Sequence, residues 1–252
     1  MIFSLIKAEK NDRQADKINV KAFEKVATAE ERKNQVEKDS RMSLEKLTNR
    51  KKGILVTSMK DFVVTYEKIM KIDLIESKEL HSIGLLPNLI QDIRSMATIA
   101  IMKKKTPPAN VISILGPIIE FTNSDLNLSA ATLRRKQANV VDSQVETICI
   151  ALEAIQKRAD KISELLAKLN LLFRKSIETV KKIIISKGNN RSFYTREDKE
   201  QIMTCVNFAT TIKTIIDTPL IDESGEMTLQ SIKAIETGEE YLVKINNLLS
   251  DM

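Results

Sequence analysis

The chain has no Trp, one His, two Cys, six Gly and five Pro in 252 residues. Each scarcity excludes something. A lone imidazole, His81, beside the Leu80–Gly84 break leaves no partner His for a triad or an imidazole metal site. Cys149 and Cys205 are too few for a disulfide scaffold and too far apart for a CxxC redox or zinc site; both sit among apolar helical residues and are expected to be reduced core positions. The six glycines, at 53, 84, 116, 188, 225 and 238, are scattered, so no phosphate-binding loop occurs. Aromatics make up only 4% of the chain, and none interleaves with a basic cluster as single-stranded nucleic-acid binding requires. No stretch reaches the 18 or so apolar residues of a membrane span. The opening apolar run, Ile2 to Ile6, is too short for a signal peptide. A cytoplasmic protein, with membrane association as the alternative, is the expectation.

With so few breakers, the remaining residues, dominated by Leu, Ile, Lys, Glu and Ala, favour long helices over many short elements. The strongest pattern is the series Val141, Val145, Ile148, Leu152, Ile155, Ala159, Ile162, Leu166, Leu169, Phe173, Ser176, Val180, Ile183. Its steps alternate between four and three, and only Ser176 is not apolar. Such spacing marks a helix that winds against a partner. A straight helix of this length would span about 65 Å at about 1.5 Å per residue.

A first long helix, or two in line, is predicted from Asp12 to Leu74. Its register is loose at first (Ile18, Phe23, Val26, Val36) and sharpens at Leu44, Leu47, Leu55, Met59, Phe62, Tyr66 and Ile69. Residues 27–43 are poor in apolar side chains and read as an exposed arm or a weakly packed end. Gly84 and Pro87 interrupt the pattern, and Pro87 suits the first turn of a further helix to Met102. Thr106-Pro107-Pro108 forces a turn. The heptad helix is expected over Leu126–Ile185 and ends at Lys187-Gly188-Asn189-Asn190. Thr195 is an expected N-cap for a helix over 196–217, and Thr228 for a last helix with Leu229, Ile232, Ile235, Leu242, Ile245 and Leu249, within which Gly238 is a weak point.

The expected fold is therefore all-α: an elongated antiparallel helical bundle, or coiled-coil hairpin, with short C-terminal helices, the helix of 44–74 lying along 141–183. It reads as one elongated helical domain over 1–252. Its parts are a long N-terminal helix (1–74), an apolar connecting region (75–125), the heptad helix (126–186) and a C-terminal helical pair (195–252).

The net charge of +6 is unevenly spread. Residues 1–60 hold 15 basic against 9 acidic side chains, and residues 217–252 hold 2 against 8. Lys and Glu are finely mixed in the first helix, which favours i,i+4 pairs on a wet face over a polyanion track. Asp160 with Glu164, and Glu236, Glu239 and Glu240, read as solvated faces and not as a di-metal carboxylate site. Two basic triplets, Lys103, Lys104, Lys105 and Arg134, Arg135, Lys136, flank the most apolar piece, which holds Val111, Ile112, Ile114, Leu115, Ile118, Ile119 and Phe121. As a site, this set is an interfacial apolar segment with basic flanks for an anionic lipid surface. No catalytic, cofactor or metal residue is assigned and no cofactor is expected.

The layout resembles a bacterial group of long-helix proteins with a central apolar insert, often a glycine zipper. A Lys/Glu-rich N-terminal helix ends in Met59-Lys60-Asp61-Phe62, a central apolar stretch follows, then a second long helix from Ala159-Asp160-Lys161 onward, and Tyr194-Thr195-Arg196-Glu197-Asp198-Lys199 opens a short helix before the last one. Residues 85–122 contain only Gly116, so the zipper itself is absent. The resemblance implies no activity. A looser similarity, in layout only, is to helical-bundle pore-forming toxins. Together the residues suggest a non-enzymatic interaction or scaffold protein whose partner is another protein or a second copy met through helix faces. The alternative is a membrane-active bundle using the hairpin 85–122. Nucleic acid and small-molecule substrates are not expected.

Overall fold

A computed structural model describes residues 2–72, 87–102, 128–222 and 227–250. Among them the chain is helical: α1 (Ile2–Ile54), a π-helical turn (Leu55–Met59), α2 (Lys60–Met70), α3 (Pro87–Met102), α4 (Leu128–Lys187), a 3-10 turn (Arg191–Phe193), α5 (Arg196–Asp217) and α6 (Leu229–Ser250). The one β feature there is an isolated bridge, Ile221 with Met227. The expected all-α bundle with short C-terminal helices is what forms, and α3 to α6 start and stop close to their sequence signals.

The described residues fall into two compact units. The first combines α1 up to Ser43 with α4 up to Lys157. Here α1 buries Ala15, Asn19, Ala22, Ala29, Ser40 and Ser43, with Val26, Lys33 and Val36 half-buried between them. The steps are again four and three, so the heptad runs through 27–43 as well, carried by small and polar residues. Ile18 is only half-buried and Phe23 is exposed, which corrects the face inferred from the larger side chains. The opposing stripe on α4 is Ala131, Arg134, Ala138, Val141, Val145, Ile148, Leu152 and Ile155, all buried. Alanine on both sides lets two helix backbones approach closely. Polar groups fix the register: Arg134 Nη1 donates to Asn19 Oδ1 at 2.7 Å, and Ser40 Oγ donates to the Leu152 carbonyl at 2.8 Å. Lys25 Nζ reaches Asn139 Oδ1 at 2.9 Å and Asp142 at 3.0 Å.

These pairs also give the direction of the long helices. From Asn19–Arg134 to Lys25–Asn139 to Ser40–Leu152, both residue numbers rise together. An antiparallel pair would make one rise as the other falls. In this pair α1 and α4 therefore run in the same direction. A heptad stripe specifies that a helix has a partner and leaves the partner's direction open.

The second unit holds α1 from Leu44, the π turn, α2, α3, α4 from Arg158, α5 and α6. The eight-residue step from Leu47 to Leu55 breaks the heptad by one residue, and the π turn absorbs it, so that Leu55, Met59, Phe62, Tyr66 and Ile69 are all buried. Lys46–Asp160 and Asp61–Lys181 keep the parallel sense of the long pair. Against α4, α5 runs antiparallel, as Lys187–Asp198 and Phe173–Phe208 show. It is opened by a Thr195–Asp198 capping box after Gly188, whose φ of 66° closes α4 with a bond from its N–H to the Ile184 carbonyl. Four aromatic contacts tie α2, α4, α5 and α6 together: Phe62–Tyr66 (5.8 Å), Phe62–Phe173 (5.5 Å), Phe173–Phe208 (6.4 Å) and an edge-on Phe208–Tyr241 (5.0 Å).

Gly238 has a packing reason to be glycine. A Cβ there would lie 2.6 Å from Leu165 Cδ2 and 2.9 Å from Ile215 Cδ1, so α6 sits against α4 and α5 where only hydrogen fits. Leu229 is exposed, contrary to its expected place on the buried face of α6; Thr228 caps that helix as expected, accepting from the Ser231 N–H at 3.1 Å.

Candidate interaction surface

The thiols and the most strongly shifted ionisable groups among the described residues lie in the helical packing. Cys149 and Cys205 are free thiols and both are buried. Burial pushes the Cys205 thiol up to about 12, far from the lowered value that a nucleophilic cysteine needs. Burial likewise raises Tyr241, whose hydroxyl donates to the Thr204 carbonyl. Lys51 is pulled down to about 8 by burial, against the pull of nearby Asp217. Its Nζ donates to the Ile216 carbonyl at 2.9 Å and the Thr218 carbonyl at 3.1 Å, closing the C-terminal end of α5. That is a structural cap built by a cation on helix-end carbonyls. Among the described residues no group of His, Cys, Asp and Glu is placed to hold a metal ion.

One groove, of about 950 Å³, lies between α2 and α3 and is lined by residues including Tyr66, Glu67, Met70, Ile90, Arg94 and Ser95. It is broad and open, and the Arg94–Glu67 ion pair spans its two helices. Among the described residues its lining places no nucleophile beside a base.

The basic triplet on α4 is divided by the fold. Arg134 is buried and bound to Asn19, while Arg135 and Lys136 are exposed. Arg134 is a register-setting core residue, which removes one cation from the anionic-surface site. The other candidates, Lys103, Lys104 and Lys105 with Val111, Ile112, Ile114, Leu115, Ile118, Ile119 and Phe121, lie outside the described residues. Among the described helices none is long and apolar enough to cross a membrane.

The surface that stands out is a second heptad stripe on α4, beside the one facing α1. Leu133, Gln137, Val140, Gln144, Thr147, Ala151 and Ala154 follow steps of four and three. Leu133 and Val140 are 56% and 45% exposed, and Gln137, Gln144, Ala151 and Ala154 are half-buried. Ser143 and Ile150 border the stripe, Ile150 being 62% exposed. A shallow depression runs along it, lined by Asn139, Val140, Ser143, Gln144 and Thr147. From Gln137 to Ala154 this face has no charged side chain, in a chain of which 29% is charged. An ordinary solvated helix face would carry several. The sequence signal was present as an absence of charge at heptad spacing, one position away from the stronger apolar stripe that drew the reading.

No family model, curated protein or solved structure matches this chain.

Proposed function

We propose that the protein is a non-enzymatic helical interaction or scaffold protein, sharing only its layout with the long-helix bacterial group. The observation that carries this reading is the uncharged second stripe on α4, Leu133 to Ala154, an apolar and amide-bearing face on which Leu133, Val140 and Thr147 are exposed. Sustained heptad spacing on a second face is the form taken by helices that meet two neighbours. The buried state of both thiols and the helix-capping role of Lys51 agree with it. The membrane-active alternative rests on 85–122, most of it outside the described residues, and it loses Arg134 as a surface cation.

A photo-crosslinking amino acid placed at Thr147 of the full chain in its native cells tests the reading. Discrete protein adducts are expected at Thr147 and not at Lys157, an exposed position off the stripe. Val140→Glu should abolish them. Adducts of equal yield at both positions, or none at Thr147, would contradict an interaction role for this face.

A further inference from the structure

We propose that the turn joining α4 to α5 docks on an anionic lipid surface, with Ile185 and Phe193 entering the headgroup layer and Lys182 and Arg191 meeting the lipid phosphates. The proposal goes beyond the protein-contact reading above. It uses other residues, all in the second unit, and it needs none of 85–122.

Exposure supplies the apolar half of the case. Ile185 is 81% exposed, the highest value for a large apolar side chain among the described residues, and Phe193 is 60% exposed. They lie on either side of Gly188, where α4 closes, so both sit at one end of the α4–α5 hairpin. The turn carrying Phe193 is tied down. Asn190 Oδ1 accepts from the Ser192 N–H at 3.0 Å, and the Tyr194 hydroxyl donates to the Gly188 carbonyl at 2.7 Å. Of the two adjacent aromatics, Tyr194 is buried as an anchor and Phe193 is turned out. In an interface, Ile185 and Phe193 would leave water along their apolar area, which is the source of the attraction.

Charge supplies the other half. Residues 179–196 carry five basic and no acidic side chains, in a chain with 40 basic and 34 acidic ones. Lys181, Lys187 and Arg196 are paired with Asp61, Asp198 and Glu200. Lys182 is exposed one helical turn before Ile185 on the same face, and Arg191 is exposed in the turn of Phe193. The first turn of α5 adds Lys199 against Glu197, Asp198 and Glu200, so 179–200 hold six basic and three acidic side chains. From the Asp61–Lys181 pair onward α2 runs parallel to α4, which carries exposed Lys68 and Lys71 to the same end. This excess of cations around two exposed apolar side chains complements a bilayer, which has anionic headgroups over an apolar layer. Single-stranded nucleic acid would call for a row of exposed rings, and Phe193 is the one exposed ring in 179–196. A duplex would attract the cations but has no use for Ile185.

Vesicle flotation of the full chain, with a dye at the turn, tests this. The protein should float with phosphatidylserine-rich vesicles at low salt, stay unbound on pure phosphatidylcholine, and release at high salt, where the charges are screened. Ile185→Ser with Phe193→Ser should weaken binding by about tenfold or more, and Lys182→Glu with Arg191→Glu by a similar factor. Thermal unfolding should be unchanged in both, since all four side chains are exposed. Both natural thiols are buried, so an environment-sensitive dye can be placed on Asn189→Cys. Its emission should shift to the blue on phosphatidylserine-rich vesicles. The same dye on Leu171→Cys, exposed about 20 Å back along α4 from the turn, should not shift. Absence of flotation at low salt overturns the proposal. So does flotation that both double variants leave intact, which would put the contact elsewhere in the chain, and so do equal shifts from the two dyes. A gel shift with duplex DNA in place of flotation would make the turn a polyanion site and reject the lipid.

Discussion

The two compact units solve the same packing problem with different side chains. In the first, α1 meets α4 through Ala15, Ala22, Ala29, Ser40 and Ser43 opposite Ala131, Ala138 and Val141. In the second, Phe62, Phe173, Phe208 and Tyr241 join four helices in one ladder. Small seams bring helices close but remove little apolar area from water, and stabilisation scales with that area at about 25 cal/mol per Å². Large side chains do the opposite. The second unit is thus built to hold itself together, whereas the first has, among the described residues, two helices, a seam with Asn19, Arg134, Ser40 and Lys33 in it, and a further uncharged heptad stripe on α4. The difference teaches that the same heptad spacing can be filled by large apolar side chains in one place and by small and polar ones in another.

The sharpest way to break the comparison is to remove the aromatic ladder. Phe173→Ala, at a site with no exposed surface, should destabilise the protein by about 3–5 kcal/mol, read by urea denaturation. Ala22→Ser in the first unit should change stability by about 1 kcal/mol or less, in line with the mildest single substitutions. Equal effects would mean that the two seams are energetically alike.

Lys51 gives a pH test within the second unit. Its folded value near 8 is below the ordinary 10.5 of an unfolded lysine. Between those values the unfolded chain binds more protons, so stability rises with pH across that window. Below pH 8 both states are protonated, and the burial penalty on the cation is present in full. The stability difference between the unmodified chain and Lys51→Met should therefore grow in favour of the unmodified chain from pH 8 to 10.5, by on the order of 2–3 kcal/mol. A flat difference, measured by chemical denaturation at several pH values, would show that Lys51 is solvated.

Gly238→Ala opposes two effects. Alanine is the better helix former by about 1 kcal/mol, but its Cβ would press on Leu165 and Ile215, which are themselves buried. Overpacking of this kind costs about 1–3 kcal/mol, and a net loss in Tm is expected; a gain would mean that α6 can move off its neighbours. Smaller again, Thr195→Ala removes the cap of α5 and should cost about 1 kcal/mol. Lys157→Ala, exposed on α4, should stay within about 0.5 kcal/mol.

What the sequence made legible follows from contrast. Val141 to Val180 stand out because bulky apolar residues alternate with Lys, Glu and Arg, and those positions are the buried ones. Thr195, Gly188 and Pro87 mark helix ends by backbone chemistry that depends on neighbours only a few residues away. The seam of α1 between Ala15 and Ser43 was hidden because Ala, Ser and Asn contrast little with a solvated face, while Ile18 and Phe23 drew attention to the wrong side. The eight-residue step between Leu47 and Leu55 was a visible trace of the π turn. Direction was not legible, since four-three spacing is the same read either way; the Asn19–Arg134 and Ser40–Leu152 bonds supply it. At the candidate site, basic triplets were legible as charge, but Arg134 was claimed by Asn19. The outer stripe of α4 is hard to read in the sequence because its mark is missing charge, with Gln and Thr in place of Leu.

One helix crosses from the first kind of packing to the second, so amide hydrogen exchange along α4 tests the account most directly. Exchange follows local opening, which few buried apolar contacts make easier. Amides of 158–180 should be the better protected, while those of 131–155 should exchange faster. Uniform protection along α4 would contradict the division between an aromatic core and a seam of small and polar side chains.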